Sequence, residues 1–198
     1  MDSSAAPSIK KSRFTAFFVR ENALDKRGFK EWVFSPGMLF HALDTWWGDQ
    51  GRRDRPHEGL DLCQYRDQRD RMHALDEKMK VPAMYDGIVV RIVHDFLGRS
   101  VILEHVFRNS DKGRFYTMYG HTKPQGGLHV GRIVKQGDII ATLADSTRSK
   151  AGICPHLHVS LGWAPGPVSY DKLDWETIGA SHTLALLDPL PLIDPASR

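Results

Sequence analysis

The stretch GIVVRIVHDFLGRSVILEHVF, residues 87–107, decides the fold class of this chain. Residues 87–93 and 100–107 each have the length of a β-strand and are rich in β-branched side chains. Leu97-Gly98-Arg99 provides a turn between them. Further runs of this character follow at residues 115–119, 133–134, 138–143 and 157–161. Short strands separated by glycine turns at this spacing predict a mostly β fold with an antiparallel β-sheet core.

Composition sets the size of the fold and excludes one class of partner. The chain has 198 residues, which suits one domain with a sizeable core, and its 17 Gly and 11 Pro predict many turns. Its net charge is only +3, from 27 basic and 24 acidic residues, so no nucleic acid partner is expected. The pI near 8.9 would not hinder approach to an anionic polymer.

The sequence carries no membrane or export signal that we can identify. The longest apolar runs, such as residues 14–19, have only the length of a strand, so we expect no transmembrane segment. Residues 1–11 are polar and lack the apolar region of a signal peptide.

The chain is divided into two parts, and two stretches before the clear strands have their own predictions. Residues 1–30 are interpreted as an N-terminal leader or peripheral segment, and residues 31–195 as one domain. The aromatic-rich residues 13–51 predict a short strand or two and a turn at residues 35–37. Residues 62–80, with a charged run at 64–71, predict a solvated loop or a short helix.

Two tryptophans and two cysteines have more than one interpretation. Trp46 and Trp47 precede the first histidine motif by about ten residues, and core packing or a scaffold role is favoured over a role in a substrate groove. Cys63 and Cys154 can pair, pack as small buried residues or stay free; unpaired structural cysteines are favoured, because two thiols do not make a disulfide framework.

Three short histidine motifs carry the chemistry. In Pro56-His57-Glu58-Gly59-Leu60-Asp61, a histidine and a carboxylate four residues apart can reach one ion across a turn that enters a strand. Tyr119-Gly120-His121 ends a predicted strand. In Pro155-His156-Leu157-His158, both imidazoles lie on one face of a strand and must divide the work as ligand and catalytic group. The spacing alone does not say which of the two is the ligand.

Each motif alone is weak, because a chain with 10 histidines produces such matches by chance. The other histidines are interpreted as ordinary hydrogen-bonded surface or core residues: His41, His73, His94, His129 and His182. The three motifs are informative together, since each lies at a predicted strand end or loop in one consistent order.

Taken in that order, the motifs resemble those of the lysostaphin-like (LytM-type) zinc metallopeptidases over roughly residues 54–192. The sequence between the motifs resembles the family too, most closely in the glycine-rich hairpin of residues 130–140. The resemblance implies an antiparallel β-sheet core with short peripheral helices and long loops. It also implies a cell-envelope, periplasmic or extracellular location.

The resemblance implies a role for each motif residue in this sequence. His57, Asp61 and His158 become the ligands of one Zn²⁺ per chain, and His121 and His156 become the catalytic pair. A zinc ion with three protein ligands keeps an open position for water. The implied activity is a metallo-endopeptidase that hydrolyses peptide bonds in bacterial peptidoglycan. His105 matches a position where the family often has a histidine and is not expected to bind metal.

Departures from the family pattern leave two alternatives for function. The loop between Asp61 and Val81 is longer than usual, and Ile153-Cys154-Pro155 is inserted before His156, where Cys154 is an alternative ligand. A non-catalytic regulator of other wall hydrolases would have lost the ligands that are present here. A zinc peptidase with a non-wall peptide substrate is the second alternative.

Overall fold

The computed structural model describes residues 9–48, 51–105, 113–146, 152–178 and 184–193. Its helices in these ranges are α1 (Phe14–Glu21) and α2 (Trp175–Ile178), with 3₁₀ turns at Asp25–Arg27, Pro36–Met38 and Tyr170–Lys172. The strands are β1 (Phe29–Val33), β2 (Leu60–Leu62), β3 (Gln64–Asp67), β4 (Met72–Ala74), β5 (Lys80–Pro82), β6 (Gly87–His94), β7 (Arg99–His105), β8 (Arg114–Pro124), β9 (Ile133–Val134), β10 (Ile139–Leu143), β11 (Leu157–Ala164) and β12 (Ala185–Leu187).

The larger sheet is built on the strands that the sequence predicts. Its strand order is β12-β11-β8-β7-β6-β9, with β10 joined to β8 and β5, and β2 joined to β11. Every strand pair among the described residues is antiparallel, which confirms the predicted mostly β, antiparallel fold class. The predicted strand at 115–119 is longer than expected and spans residues 114–124 as β8.

The central strands are covered on both faces, which explains why residues 101–103 of β7 are consecutive apolar residues without alternation. Val101 and Leu103 are fully buried in the larger core cluster, together with Val159 of β11. Ile102, which points to the opposite face, packs with Met118 in a second cluster. The sheet therefore offers little solvated face at its centre, and functional side chains have to emerge at strand ends.

The aromatic-rich N-terminal region begins with a helix that the sequence analysis missed. Phe14 and Phe18 lie four residues apart, share one face of α1 and are fully buried in the larger core. The predicted short strand and the turn near residue 35 are present as β1 and a 3₁₀ turn. The described part of residues 1–30 thus packs on the sheet domain, and Ser12 donates a hydrogen bond to the carbonyl of Leu192.

The prediction of a solvated loop or short helix within residues 62–80 is wrong. Residues 64–67 and 72–74 form the hairpin β3–β4, which pairs with β1 in a separate three-stranded sheet. Tyr65 and Asp67 are buried while Gln64 and Arg66 are half-exposed. Burial thus alternates from residue to residue, as in a strand, although the residues are mostly polar. The carboxylate of Asp67 accepts the backbone N–H groups of Arg69 and Arg71 and closes the turn.

His105 is buried at the end of β7 and hydrogen-bonded on both ring nitrogens. Nδ1 lies 2.8 Å from the carbonyl oxygen of Asp86, and Nε2 lies 2.7 Å from Oγ1 of Thr117. Burial lowers the pKa of His105 to about 4. Its role is therefore structural, and it lies outside the group of potential metal ligands found among the described residues.

The lowered pKa of His105 predicts a loss of stability in mild acid. Between pH 6.5 and 4 the unfolded chain binds a proton at this histidine that the folded chain does not, so the free energy of unfolding falls as pH falls. This histidine should contribute about 2 kcal/mol of that fall between pH 7 and pH 5. Urea unfolding of wild type and His105→Gln across this range tests the prediction. Parallel curves for the two proteins would contradict it.

Candidate metal centre

His121 lies where β8 changes its partner. Residues 114–120 of β8 pair with β11, whereas residues 122–124 pair with β10. His121 itself has a φ of 60°, an uncommon left-handed conformation for a residue other than glycine. The register with β7 also shifts between its residues Arg99 and Val101. This local break in the strand directs the His121 side chain into the cleft.

The pairing of β2 with β11 brings two of the predicted ligands side by side. Asp61 is the direct cross-strand partner of His158, so both side chains lie on one face of the sheet. His57 reaches the same place from the turn before β2. A Cβ atom on Gly59 would lie 2.7 Å from Nε2 of His158, so this turn needs a glycine to pass so closely.

The three side chains converge with one ligand atom each. Nε2 of His57 lies 3.1 Å from Nδ1 of His158 and 3.3 Å from Oδ1 of Asp61. Nδ1 of His158 lies 2.9 Å from the same carboxylate oxygen. All three residues are buried, and they are the group of potential metal ligands found among the described residues.

These residues fit a zinc ion. Tetrahedral zinc with bonds of about 2.0–2.1 Å to nitrogen and oxygen places neighbouring ligand atoms roughly 3.3 Å apart. The observed separations of 2.9–3.3 Å are close to that value. Two imidazoles and one carboxylate also form a ligand set used by catalytic zinc sites. Cys154 does not belong to this group, so the alternative of a thiolate ligand finds no geometric support.

Outer hydrogen bonds hold each of the three side chains in position. Nδ1 of His57 donates to the carbonyl of Leu39, which leaves Nε2 free to bind. Nε2 of His158 lies 2.8 Å from Oγ of Ser160. The second carboxylate oxygen of Asp61 accepts a 2.6 Å hydrogen bond from Nε1 of Trp46. Such partners fix ring orientation and tautomer in metal sites.

The electrostatics of the cluster favour binding of a cation. Burial lowers the pKa of His158 to about 4, so its ring is neutral and can donate a lone pair. Burial acts to raise the pKa of Asp61, but hydrogen bonds with His158 and His57 outweigh it and hold the pKa well below its usual value. A buried carboxylate is costly unless a positive charge joins it.

Asp95 holds His121 in position by hydrogen bonds, and the sequence analysis missed this partner. Its carboxylate accepts the backbone N–H of His121 at 2.9 Å and lies 3.2 Å from Nδ1 of the ring. It also accepts a hydrogen bond from Ser100 and caps the turn at Gly98. Burial acts to raise the pKa of Asp95, but the hydrogen bond with His121 and further ones outweigh it and keep the pKa below its ordinary value.

His156 faces His121 across the site but has a different environment. The ring centroids of the two histidines are 4.8 Å apart. Nδ1 of His156 donates to the carbonyl of Cys154 at 2.9 Å, so Nε2 is left as an acceptor. Burial is the main cause that lowers the pKa of His156 to about 4. His156 therefore stays neutral, whereas an imidazolium at His121 would have the carboxylate of Asp95 beside it.

A cleft of about 740 Å³ opens over these five residues. Its walls carry Trp47, Phe96 and Trp175, and the ring of Phe96 contacts that of His121 at a centroid distance of 4.8 Å. Trp175 contacts His158 in the same edge-on manner. The cleft is large enough for several residues of an extended peptide.

The structure brings together all five residues singled out from the sequence, and it gives the two tryptophans different roles. Trp46 supports the site, because its Nε1 donates to Asp61 and its ring contacts His156 at a centroid distance of 5.0 Å. Trp47 instead lines the cleft with Arg53 stacked on it, the groove role that the sequence analysis favoured less. The sequence signal for Asp95 was only that of a turn, Asp95 followed by Gly98.

Among the remaining histidines that the structure describes, His73 and His129 have the ordinary hydrogen-bonded roles expected of them. His73 pairs with Asp67, and His129 is exposed and bonded to a neighbouring carbonyl. His94 lines the outer cleft without joining the ligand group. His182 lies outside the described residues.

Comparison with protein families gives one clear match. The sequence profile of peptidase family M23 matches residues 56–169, a range that contains all five site residues. A comparison with curated proteins found no significant match. None of the helices in the described part of the chain is long and apolar enough to cross a membrane.

The solved structures similar to this chain are remote in sequence and in superposition. The lysostaphin solution structure is 22% identical over 69% of this chain and 42% of its own, with a TM-score of 0.42. A mutant catalytic domain of the prophage-encoded M23 protein EnpA from Enterococcus faecalis is 24% identical in sequence. The match covers 73% of this chain and 97% of the EnpA chain, with a TM-score of 0.38. A candidate glycyl-glycine endopeptidase lytM from Ruminococcus gnavus ATCC 29149 is 21% identical in sequence. The match covers 69% of this chain and 45% of the lytM chain, with a TM-score of 0.41.

Proposed function

Because the chain belongs to peptidase family M23, we propose that it is a zinc metallo-endopeptidase that hydrolyses peptide bonds in bacterial peptidoglycan. The observation that carries this proposal is the convergence of one ligand atom each from His57, Asp61 and His158 on the floor of an open cleft. The same proposal places the protein in the cell envelope, the periplasm or outside the cell.

His57, Asp61 and His158 would hold one Zn²⁺ per chain. When bound, the ion supplies a Lewis acid that activates a water molecule and polarises the scissile carbonyl group. Residues outside the ligand set fix the orientation of the three ligands by hydrogen bonds, and these residues are Leu39, Ser160 and Trp46.

His156 is proposed to orient the attacking water. Its Nδ1 is engaged with the carbonyl of Cys154, so Nε2 presents a lone pair to the cleft. The pKa lowered to about 4 keeps this ring unprotonated at the pH of the reaction. A neutral acceptor in a fixed orientation can take a hydrogen bond from water without itself becoming charged.

His121 is proposed to carry the proton from the water to the leaving amine. A histidine hydrogen-bonded to a buried carboxylate holds its tautomer, and the carboxylate stabilises the imidazolium that forms on proton uptake. Asp95 supplies that carboxylate to Nδ1, which leaves Nε2 of His121 for the reacting groups. Asp95 acts through His121 and is a positioning residue.

The proposal predicts that purified zinc-loaded protein releases peptides from isolated cell-wall sacculi. New amino groups should appear while the number of sugar reducing ends stays constant, because a peptide bond and not a glycosidic bond is cut. A chelator should abolish the release, and zinc should restore it. His129→Ala, a change at an exposed histidine outside the cleft, serves as the matched control and should retain full activity.

The other outcomes of that assay separate the alternatives. Cleavage of soluble peptides, including glycine-rich ones, without any cleavage of sacculi would indicate a non-wall substrate. A protein that binds zinc yet cuts neither material would contradict the enzyme proposal and lead to the regulator hypothesis, which stimulation of other wall hydrolases would test.

A further inference from the structure

The two cysteines of this chain lie beside the candidate metal centre at one end of the β2–β11 pair, one just after β2 and the other before β11. Cys63 follows Asp61 by two residues, and Cys154 precedes His156 by two. Their Sγ atoms are 2.6 Å apart although both are free thiols in this structure. Even carbon atoms in nonbonded contact stay roughly 3.5–4.0 Å apart, whereas a disulfide bond measures about 2.05 Å. The two sulfur atoms are thus closer than nonbonded atoms pack, and they are near the distance of a disulfide bond.

We propose that Cys63 and Cys154 form a disulfide that ties the strand of Asp61 to the segment that leads into His156 and His158. This differs from the expectation of two unpaired cysteines. The inference rests on the position of the two sulfur atoms and holds whether or not the site hydrolyses peptides. It adds a redox modification site next to the proposed zinc centre.

The segment before β11 would gain most from such a bond. Described residues 152–156 belong to no helix or strand, and a hydrogen bond from Oγ of Ser146 to the carbonyl of Ile153 is one of their anchors. The carbonyl of Cys154 accepts the Nδ1 hydrogen bond that sets the tautomer of His156. A covalent link from Cys154 to β2 would hold this carbonyl, and with it the His156 ring, in place.

The environment of the two thiols permits the exchange reaction. Cys63 is buried whereas Cys154 is half-exposed, so an external disulfide has access to Cys154 first. The Cys154 thiolate attacks one sulfur of that disulfide, gives a mixed disulfide and expels one thiolate. The Cys63 thiolate then displaces the second. Two cysteine thiols are thereby oxidised, and the external disulfide is reduced to two thiols that take up the two protons released.

Intact-mass measurement tests the proposal directly on the zinc-loaded full chain. One sample is incubated with oxidised glutathione and another with a phosphine reductant, which avoids the zinc binding of dithiols. Both are then unfolded and alkylated. The oxidised sample is expected to carry no alkyl group and no glutathione at monomer mass, and the reduced sample to carry two alkyl groups. Two alkyl groups, or retained glutathione, in the oxidised sample would overturn the inference.

Single serine variants provide the matched controls. Cys63→Ser and Cys154→Ser should each keep one thiol that accepts one alkyl group or one glutathione, since no internal partner remains. Thermal unfolding gives a second readout. Oxidised wild type should melt about 5 °C or more above reduced wild type, because the bond closes a loop of roughly 90 residues. The Cys63→Ser/Cys154→Ser protein should melt alike in both conditions; equal melting of the two wild-type forms would reject the stabilising link.

Discussion

Purified wild-type protein is expected to contain about one zinc ion per chain, and the His158→Ala variant close to none. His158 supplies one of three converging ligand atoms. Its Nδ1 lies 2.9 Å from Oδ1 of Asp61 and 3.1 Å from Nε2 of His57. Its removal leaves two ligands, which cannot hold the ion against water. The loss of affinity should exceed the roughly 10–100-fold that follows removal of an outer partner. Elemental analysis after dialysis measures the zinc content.

Three further variants keep this prediction informative if His158→Ala folds poorly. Asp61→Asn preserves the shape of the side chain but removes its charge and one of its two acceptor oxygens, and it should also lose zinc. Trp46→Phe removes only the outer hydrogen bond to Asp61 and should bind zinc more weakly without losing it. His156→Ala should retain the ion. Wild type that takes up no zinc, or His158→Ala that binds it normally, would refute the proposed ligand set.

The sequence was sufficient for the central sheet because the relevant signals are local. Residues 87–93 and 100–105 have buried positions on both faces, so their composition alone identifies strands. The hairpin at 64–74 was missed for the opposite reason. Its inward positions include the carboxylate of Asp67, whose charge is balanced by Arg71 and His73 only after folding. Helix α1 was hidden because an aromatic run suits a helix as well as a strand.

The candidate site shows the same division between local and distant information. His57 and Asp61 are four residues apart and follow from a short pattern, and so do His156 and His158. The supporting residues come from elsewhere in the chain. Asp95 lies 26 positions before His121, and Trp46 lies 15 before Asp61, so only the fold reveals their hydrogen bonds. Spacing identifies residue types suited to a metal, whereas their orientation depends on tertiary contacts.

Replacement of His121 by alanine should lower peptide hydrolysis by about 10²–10⁴-fold while the zinc content stays at the wild-type level. His121 lies at the break in β8 and is absent from the group of three ligands, so its loss removes a proton carrier without opening the metal centre. Asp95→Asn should give a smaller loss that lies in kcat and not in KM. The amide still fills the space behind His121 but cannot stabilise a positive charge on the ring.

Zinc analysis and steady-state kinetics on the same preparations test the assignment. The control for Asp95→Asn is Glu176→Gln, which removes an exposed carboxylate from the wall of the same cleft and should leave kcat nearly unchanged. If His121→Ala hydrolyses its substrate at the wild-type rate, His121 is not the proton carrier. If His121→Ala is inactive and has lost its zinc as well, the residue acts in holding the metal centre, and the division of labour between His121 and the three ligands is wrong. If zinc-loaded His121→Ala is fully active and His156→Ala is inactive, His156 is the proton carrier instead.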